Sequence, residues 1–249
     1  MRVKNLILFI STCLLLSCGS PPKQGGVVIS SDSVQIIIHT DSLHRFDTIL
    51  FKGHKVVFSP LKREVYEASS DKGFTPTDVL DDSLLLTRYK DNLNKSDSSF
   101  LIRCQGGAAV RLISTPGKEL DDTIYSFKGQ LKNCPYFVFQ VDYYEASSHM
   151  LVNFLSGKSK EICGEPVLSP EENKMACVSV YGIGQPITTY LELYSVGKDS
   201  LNLRFEGEFD HWVPDEIKWI DNNTLFIKQS TIAAPGREIV SYARVQLID

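Results

Sequence analysis

The chain reads as an all-β protein, a propeller-like stack of antiparallel sheets with about four to five blades, with a two-sheet β-sandwich as the alternative architecture. Three observations lead there. From Val27 to the end almost nothing repeats with helical period. Short β-branched and aromatic segments are punctuated by turn residues, and one hairpin phrase recurs at regular intervals.

The segments, in order, are 34–40 (VQIIIHT), 83–89 (SLLLTRY), 99–104 (SFLIRC), 136–144 (YFVFQVDYY), 189–196 (TYLELYSV), 224–230 (TLFIKQS) and 239–248 (IVSYARVQLI). Each is expected to be a strand. One short, uncapped helical turn is expected at Lys62 to Ser69. The stretch His149 to Tyr181 is the clearest part of the pattern. Met150, Val152 and Phe154 alternate with polar or small neighbours, Gly157 supplies a turn, and KEIC resumes the ladder. A hinge at Gly164 to Pro166 then leads to a second hairpin, Val167 to Val180. Its turn, Pro170 to Lys174, has Pro where a type I turn fixes φ and Asn173 where the left-handed region is tolerated.

The recurring phrase is an apolar anchor, a polar turn and a hydrophobic restart. It occurs at Val79 to Leu85, Leu168 to Met175 and Trp219 to Leu225, with a looser copy at Phe127 to Val138 that carries Cys134-Pro135 before the restart. Anchors at 79, 127, 168 and 219 lie 48, 41 and 51 residues apart, close to the ~40 to 50 residues of a four-stranded blade. One such sheet cannot bury its own faces, whereas several stacked sheets can. The phrase GEPVLSPEENKMACVSV resembles the strand-turn-strand of WD40-like, Tol-system-type periplasmic propeller repeats, whose blades carry SPDGK turns. Here Glu172-Asn173 replaces Asp-Gly, and no blade has a WD dipeptide. The longer run from Tyr143 to Val180 is similar to a group of uncharacterised Gram-negative lipoproteins. The resemblance implies a propeller-derived fold and no activity.

Residues 1–17 are expected to be a signal peptide: Arg2 and Lys4 form the positive region, and Leu6 to Leu16 is an apolar run too short to span a bilayer. Leu15-Leu16-Ser17-Cys18 resembles the bacterial lipobox, which implies cleavage before Cys18, diacylation of its thiol with palmitate-class chains, and acylation of the new amine. More than one chain makes such an anchor durable. Residues 18–26, with GSPPKQGG after the lipidated cysteine, read as a flexible tether, and 27–249 as a single domain. No acidic cluster follows Cys18, so the expected location is the periplasmic side of a membrane.

Removing residues 1–17 takes away two basic and no acidic residues, leaving 24 Lys and Arg against 30 Asp and Glu, a formal charge of −6. An acidic chain without a basic run lacks the footprint of a nucleic-acid binder. Four cysteines remain in the domain: Cys104, Cys134, Cys163 and Cys177. In an oxidising compartment they allow buried thiols or one or two disulfides, and no spacing suits zinc or redox chemistry.

Five histidines show neither HxH nor HxxxH spacing, so no metal site is expected. His39 and His149 are expected at strand ends. Ser148 and His149 point to opposite faces of a strand and have no nucleophile elbow, which argues against a serine hydrolase. Gly182 to Pro186 lacks the strand-to-helix context of a phosphate loop. The densest polar cluster is Glu206, Glu208, Asp210, His211, Trp212, Asp215 and Glu216, read as a loop before a strand at Ile217. Asp210, His211, Trp212, Asp215 and Glu216 are the candidate binding residues, with Trp212 or Trp219 as packing anchor. Tyr144 joins them, since the pair Tyr143-Tyr144 would place one ring in the core and one on a surface. No cofactor is implied. The expected function is a non-catalytic module that binds an envelope protein or glycan. The alternative is a carbohydrate-active hydrolase using carboxylates of the 206–216 stretch, since paired carboxylates across a sugar can cleave it.

Overall fold

The computed structural model describes residues 28–29, 36–39, 47–75, 82–117, 122–131, 133–144, 146–181, 188–210, 213–233 and 237–248. Cys18, the signal segment and the tether lie outside them. The described chain is all-β. It opens with β1 (Val28–Ile29), β2 (Ile36–His39), β3 (Asp47–Phe51) and β4 (His54–Pro60), followed by two short helices, α1 (Arg63–Ala68) and α2 (Asp82–Arg88). Fourteen strands complete it: β5 (Leu93–Ser96), β6 (Ser99–Arg103), β7 (Ala109–Ile113), β8 (Thr123–Gln130), β9 (Tyr136–Tyr143), β10 (Ser147–Asn153), β11 (Ser159–Ile162), β12 (Pro166–Leu168), β13 (Lys174–Tyr181), β14 (Thr188–Val196), β15 (Leu201–Asp210), β16 (Val213–Asp221), β17 (Thr224–Ala233) and β18 (Arg237–Ile248).

These strands form four sheets that follow one another along the chain. The first is β5-β6-β7 and the second β11-β10-β9-β8. The third is β12-β13-β14-β15, extended by β2 and β1, and the fourth is β16-β17-β18 completed by β4 and β3. All pairings are antiparallel except β2 with β15. The last strand of the chain therefore pairs with an early one, Ala243 opposite Pro60 through Ile248 opposite Lys55.

The two middle sheets bury both faces, and the sequence shows why. In β9, Phe137 and Phe139 pack against Leu93, Phe100 and Ile102 of the first sheet. Tyr136 and Val138, one residue out of phase, pack in the cluster that holds Leu168, Met175 and Cys177 of the third. In the third sheet Ala176, Leu191 and Leu193 turn the other way, into a cluster with Phe58, Trp219, Leu225 and Val245 of the fourth. Near-continuous apolar runs such as YFVFQV and MACVSV, each interrupted by one polar residue, are what a sheet covered on both sides requires. Each fully buried side chain of this size contributes about 1.5–3 kcal/mol.

The hinge read at 164–166 is where the chain passes from the second sheet to the third. The hairpins predicted at 127–138, 168–175 and 219–225 are present. The remaining copy of the phrase is not a hairpin: its restart at Leu84-Leu85, and most of the strand expected at 83–89, lie in helix α2, while its anchor Val79 lies outside the described residues. Leu84, Leu85 and Leu86 are consecutive and unbranched at Cβ, which suits a helix better than an alternating strand. Arg88 in the last turn complements the helix dipole, and Leu86 packs against the first and second sheets. The helical turn expected at 62–69 is α1, whose N-cap residue, Lys62, makes no side-chain capping bond.

Between the helices, residues 71–74 stitch the edges of two sheets. Phe74 and Leu168 exchange N–H···O bonds of 3.0 and 2.8 Å, and the Lys72 amide donates to the Trp219 carbonyl at 2.8 Å. Asp71 Oδ1 accepts from the Trp219 amide at 3.0 Å. A Cβ on Gly73 would come within 2.8 Å of the Trp219 ring, so only glycine lets the segment lie this close.

Candidate functional site

The stretch 206–216 is not a loop. Residues up to Asp210 belong to β15 and those from Val213 to β16; His211 and Trp212, together with the side chains of Asp210 and Asp215, lie outside the described residues. The charge density hid a period-2 pattern: Phe205 and Phe209 are fully buried, and Gly207 sits beneath their rings, where a Cβ would meet Phe205 at 2.6 Å. Glu206 and Glu208 alternate with them on the other face. Glu216 is exposed and 3.4 Å from Lys218, whose ammonium lies over the Tyr66 ring. Burial first, and then Glu216, push the Tyr66 hydroxyl well above its ordinary range. Trp219 is the packing anchor: it is fully buried and its Nε1 donates to the Val167 carbonyl at 2.9 Å.

Tyr143 and Tyr144 do not divide between core and surface; they are 38 % and 60 % exposed. Strand β9 ends at Tyr143. The Tyr143 hydroxyl donates to Glu161 at 2.7 Å, and burial followed by that bond raises it to about 12. The register places Tyr144 and the 210–213 junction at the same end of the stack. Ser147 pairs with Asp142, Tyr181 with Thr188, Thr188 with Asp210 and Val213 with Ser230. The Gly182 to Pro186 segment falls outside the described residues.

His39 ends β2 as expected, but His149 lies inside β10, opposite Gln140 and Ile162. Its Nδ1 is buried without a hydrogen-bond partner. Burial first, then Lys128, lower its pKa from 6.5 to about 4, against a weaker opposing effect of Asp142. Because the folded value lies below the unfolded one, stability is complete above pH 6.5 and falls as the pH drops toward 4. Discounted for the part of the ring that solvent reaches, the loss is on the order of 1–2 kcal/mol. Thermal midpoints of His149→Gln should therefore fall less than those of the parent between pH 7 and pH 4.5. Parallel pH curves for the two proteins would contradict this. Ser148, on the opposite face, donates to Glu161 and not to His149. In this structure the four domain cysteines are in the reduced, unbonded state, with Cys104, Cys134 and Cys177 buried and Cys163 half-buried. Among the described residues no three or more His, Cys, Asp or Glu side chains are grouped to hold a metal ion.

A groove of about 560 Å³ opens at the other end, between the second and third sheets. Four connections frame it: the β8–β9 crossing at Asn133 to Pro135, the β10–β11 turn at Phe154 and Leu155, the β12–β13 turn at Glu171 to Asn173, and the β14–β15 turn at Val196 to Lys198. Pro135, Phe154, Leu155 and Val196 supply apolar surface, and exposed Asn133, Glu171, Asn173 and Lys198 supply a polar rim carrying both charges.

Its walls are tied to one another. The Phe154 amide donates to the Pro135 carbonyl at 2.9 Å and the Val196 amide to the Asn173 carbonyl at 2.8 Å. Asn153 Nδ2 donates to the Lys198 carbonyl at 3.1 Å, and the Glu171 amide to Asn222 Oδ1 of the fourth sheet at 2.9 Å. The Cys134 thiol donates to the Glu172 carbonyl at 3.7 Å, while burial, then Glu172, push its pKa up to about 11. It is an inert thiol rather than a nucleophile.

Two of the three described non-glycine residues with positive φ line this groove: Asn133 at 54° and Glu172 at 58°. The left-handed residue of the PEEN turn is thus Glu172 and not Asn173. The Glu172 amide donates to the Ser169 carbonyl at 2.8 Å, closing a turn with Pro170 in second place. Glu172, and not Asn173 as matching Glu172-Asn173 to Asp-Gly implied, takes the left-handed place of the turn, at a cost on the order of 1 kcal/mol. Strain held at a cavity wall fixes the wall's shape before anything binds. Sequence reading located both turns, PEEN and NCP, but not their meeting, which depends on how the second sheet stacks on the third. No family model, curated protein or solved structure matches the chain.

Proposed function

We propose that this protein is a lipoprotein anchored through acylated Cys18, facing the periplasm, whose domain binds an envelope protein or glycan and catalyses no reaction. The observation that carries the binding role is the groove between the second and third sheets. It joins apolar surface to a two-signed polar rim on hydrogen-bonded turns, the usual make-up of a pre-formed binding site. Tyr144 and Glu216 are candidates for a second surface at the opposite end, and Asp210, His211, Trp212 and Asp215 remain candidates from the sequence alone. The anchor rests on the lipobox resemblance. Among the described residues no helix is long and apolar enough to cross a membrane.

The finer architecture belongs to the same proposal: the four sheets are blades of a propeller-like ring. Their order along the chain, the coverage of both faces of the middle two, and the pairing of β18 with β4 support it, because a ring closed by strands from both chain ends has that connectivity. The hydrolase alternative is the weaker reading. Glu216, one of its carboxylates, is engaged by Lys218 at 3.4 Å.

A photo-reactive residue at Lys198, and separately at Tyr144, tests the binding role in intact cells. Adducts with one reproducible envelope component from Lys198 support the groove, and adducts from Tyr144 alone move the site to the other end. No adduct from either position overturns the binding role. Labelled palmitate should enter the parent protein and not Cys18→Ala; labelling of both would end the anchor proposal.

A further inference from the structure

We propose that Cys163 and Cys177, unbonded in this structure, are oxidised to a disulfide that staples the exit of the second sheet to the third. Cys163 lies in the 163–165 crossing from β11 to β12, and Cys177 is fully buried in β13. The crossing runs directly against β13: a Cβ on Gly164 would lie 1.9 Å from the Val178 carbonyl oxygen. Pro166, three residues after Cys163, is the register partner of Cys177.

The third sheet locates Cys163 more closely. Its amide donates to Glu192 Oε2 at 2.9 Å, and Glu192 is the cross-strand neighbour of Cys177. Its thiol lies 3.9 Å from the carbonyl of Tyr190, the neighbour of Ser179. Cys163 is therefore laid over the Cys177–Ser179 stretch, and it packs against the cluster that contains Cys177. The other two cysteines are engaged elsewhere. Cys104 belongs to the cluster of the first two sheets. Cys134 shares the cluster of Cys177 but lies at its groove end, where its thiol donates to the Glu172 carbonyl.

The bond forms by oxidation. Each thiol loses its hydrogen as a proton and the pair loses two electrons to a disulfide oxidant of the glutathione-disulfide class. One S–S bond forms in the protein, and the oxidant's S–S bond is cleaved to two thiols. Burial first, then Glu192, push the Cys163 thiol far up, and burial does the same to Cys177. Thiolate is the attacking species, so exchange is slow once the sheets have closed and the bond forms during folding.

The test uses the full chain with Cys13 and Cys18 replaced by serine, refolded with glutathione disulfide and then denatured without reduction. Two free thiols and a proteolytic fragment linking residues 163 and 177 are expected. Adding Cys163→Ser or Cys177→Ser should leave three free thiols, and adding Cys104→Ser one. Four free thiols in the parent, or a link that includes Cys104 or Cys134, would overturn the pairing. In the cell the oxidant depends on the periplasmic reading, but refolding in the test tube does not. A bond formed there alongside a failed palmitate label would sink the location and leave the pairing standing.

Discussion

Gly164→Ala is expected to lower the thermal midpoint by roughly 10 °C, the equivalent of about 4 kcal/mol in a domain of this size. Glycine is needed here for closeness and not for left-handed backbone. The added methyl would sit 1.9 Å from the Val178 carbonyl oxygen and 2.7 Å from its carbon. Both are main-chain atoms of a central strand that cannot rotate away, so the crossing between the second and third sheets must lift. Lifting it strains the Cys163 amide bond to Glu192 and opens the cluster around Leu168, Met175 and Cys177. Gly157→Ala is the control, because its Cβ would meet nothing closer than 3.4 Å and the penalty is the positive φ of 77° alone. That variant should lose only about 1 kcal/mol. Equal melting of the two variants would contradict the account of the crossing.

Trp219→Ala is expected to cost about 3–5 kcal/mol, read as a fall in the denaturant midpoint. Trp219 is the largest fully buried side chain among the described residues and belongs to the cluster that joins the third and fourth sheets. Its removal leaves a cavity and strips the Val167 carbonyl of its indole donor. Trp219→Phe separates the two effects: it keeps most of the apolar contact, loses the N–H, and should cost about 1–2 kcal/mol. A Phe variant as unstable as the Ala variant would assign the anchor's role to the hydrogen bond instead of the packing.

Period-2 patterning and turn chemistry made much of this fold legible. The pair of hairpins on either side of Gly164 is where the residues placed it, because alternation in 149–154 and the Pro170 turn are local signals. Residues 83–89 misled because three consecutive leucines carry no period, and their choice of helix depends on packing against sheets distant in sequence. Residues 206–216 misled for the opposite reason. Glu206 and Glu208 are half-buried on the other face of a strand whose fully buried side is Phe205 and Phe209. The left-handed residue was placed one position late, at Asn173, since residue preference was read without the turn hydrogen bond that selects Glu172. The groove could not have been found from the chain alone. Its four walls come from residues 133 to 198, and what brings them together is the stacking of one sheet on another.

That stacking is the physical claim from which the groove and the Cys163–Cys177 pairing both derive: the second and third sheets are each covered on two faces. Methyl-labelled protein in solution tests it through nuclear Overhauser contacts. The account predicts cross-peaks joining Leu151 and Ile162 to Leu168 and Met175, and a separate set joining Leu191 and Leu193 to Val245 and Leu247. Loss of either set, with Ile102 and Leu112 of the first sheet contacting Leu191 or Leu193 instead, would put the strands in two facing layers and contradict it.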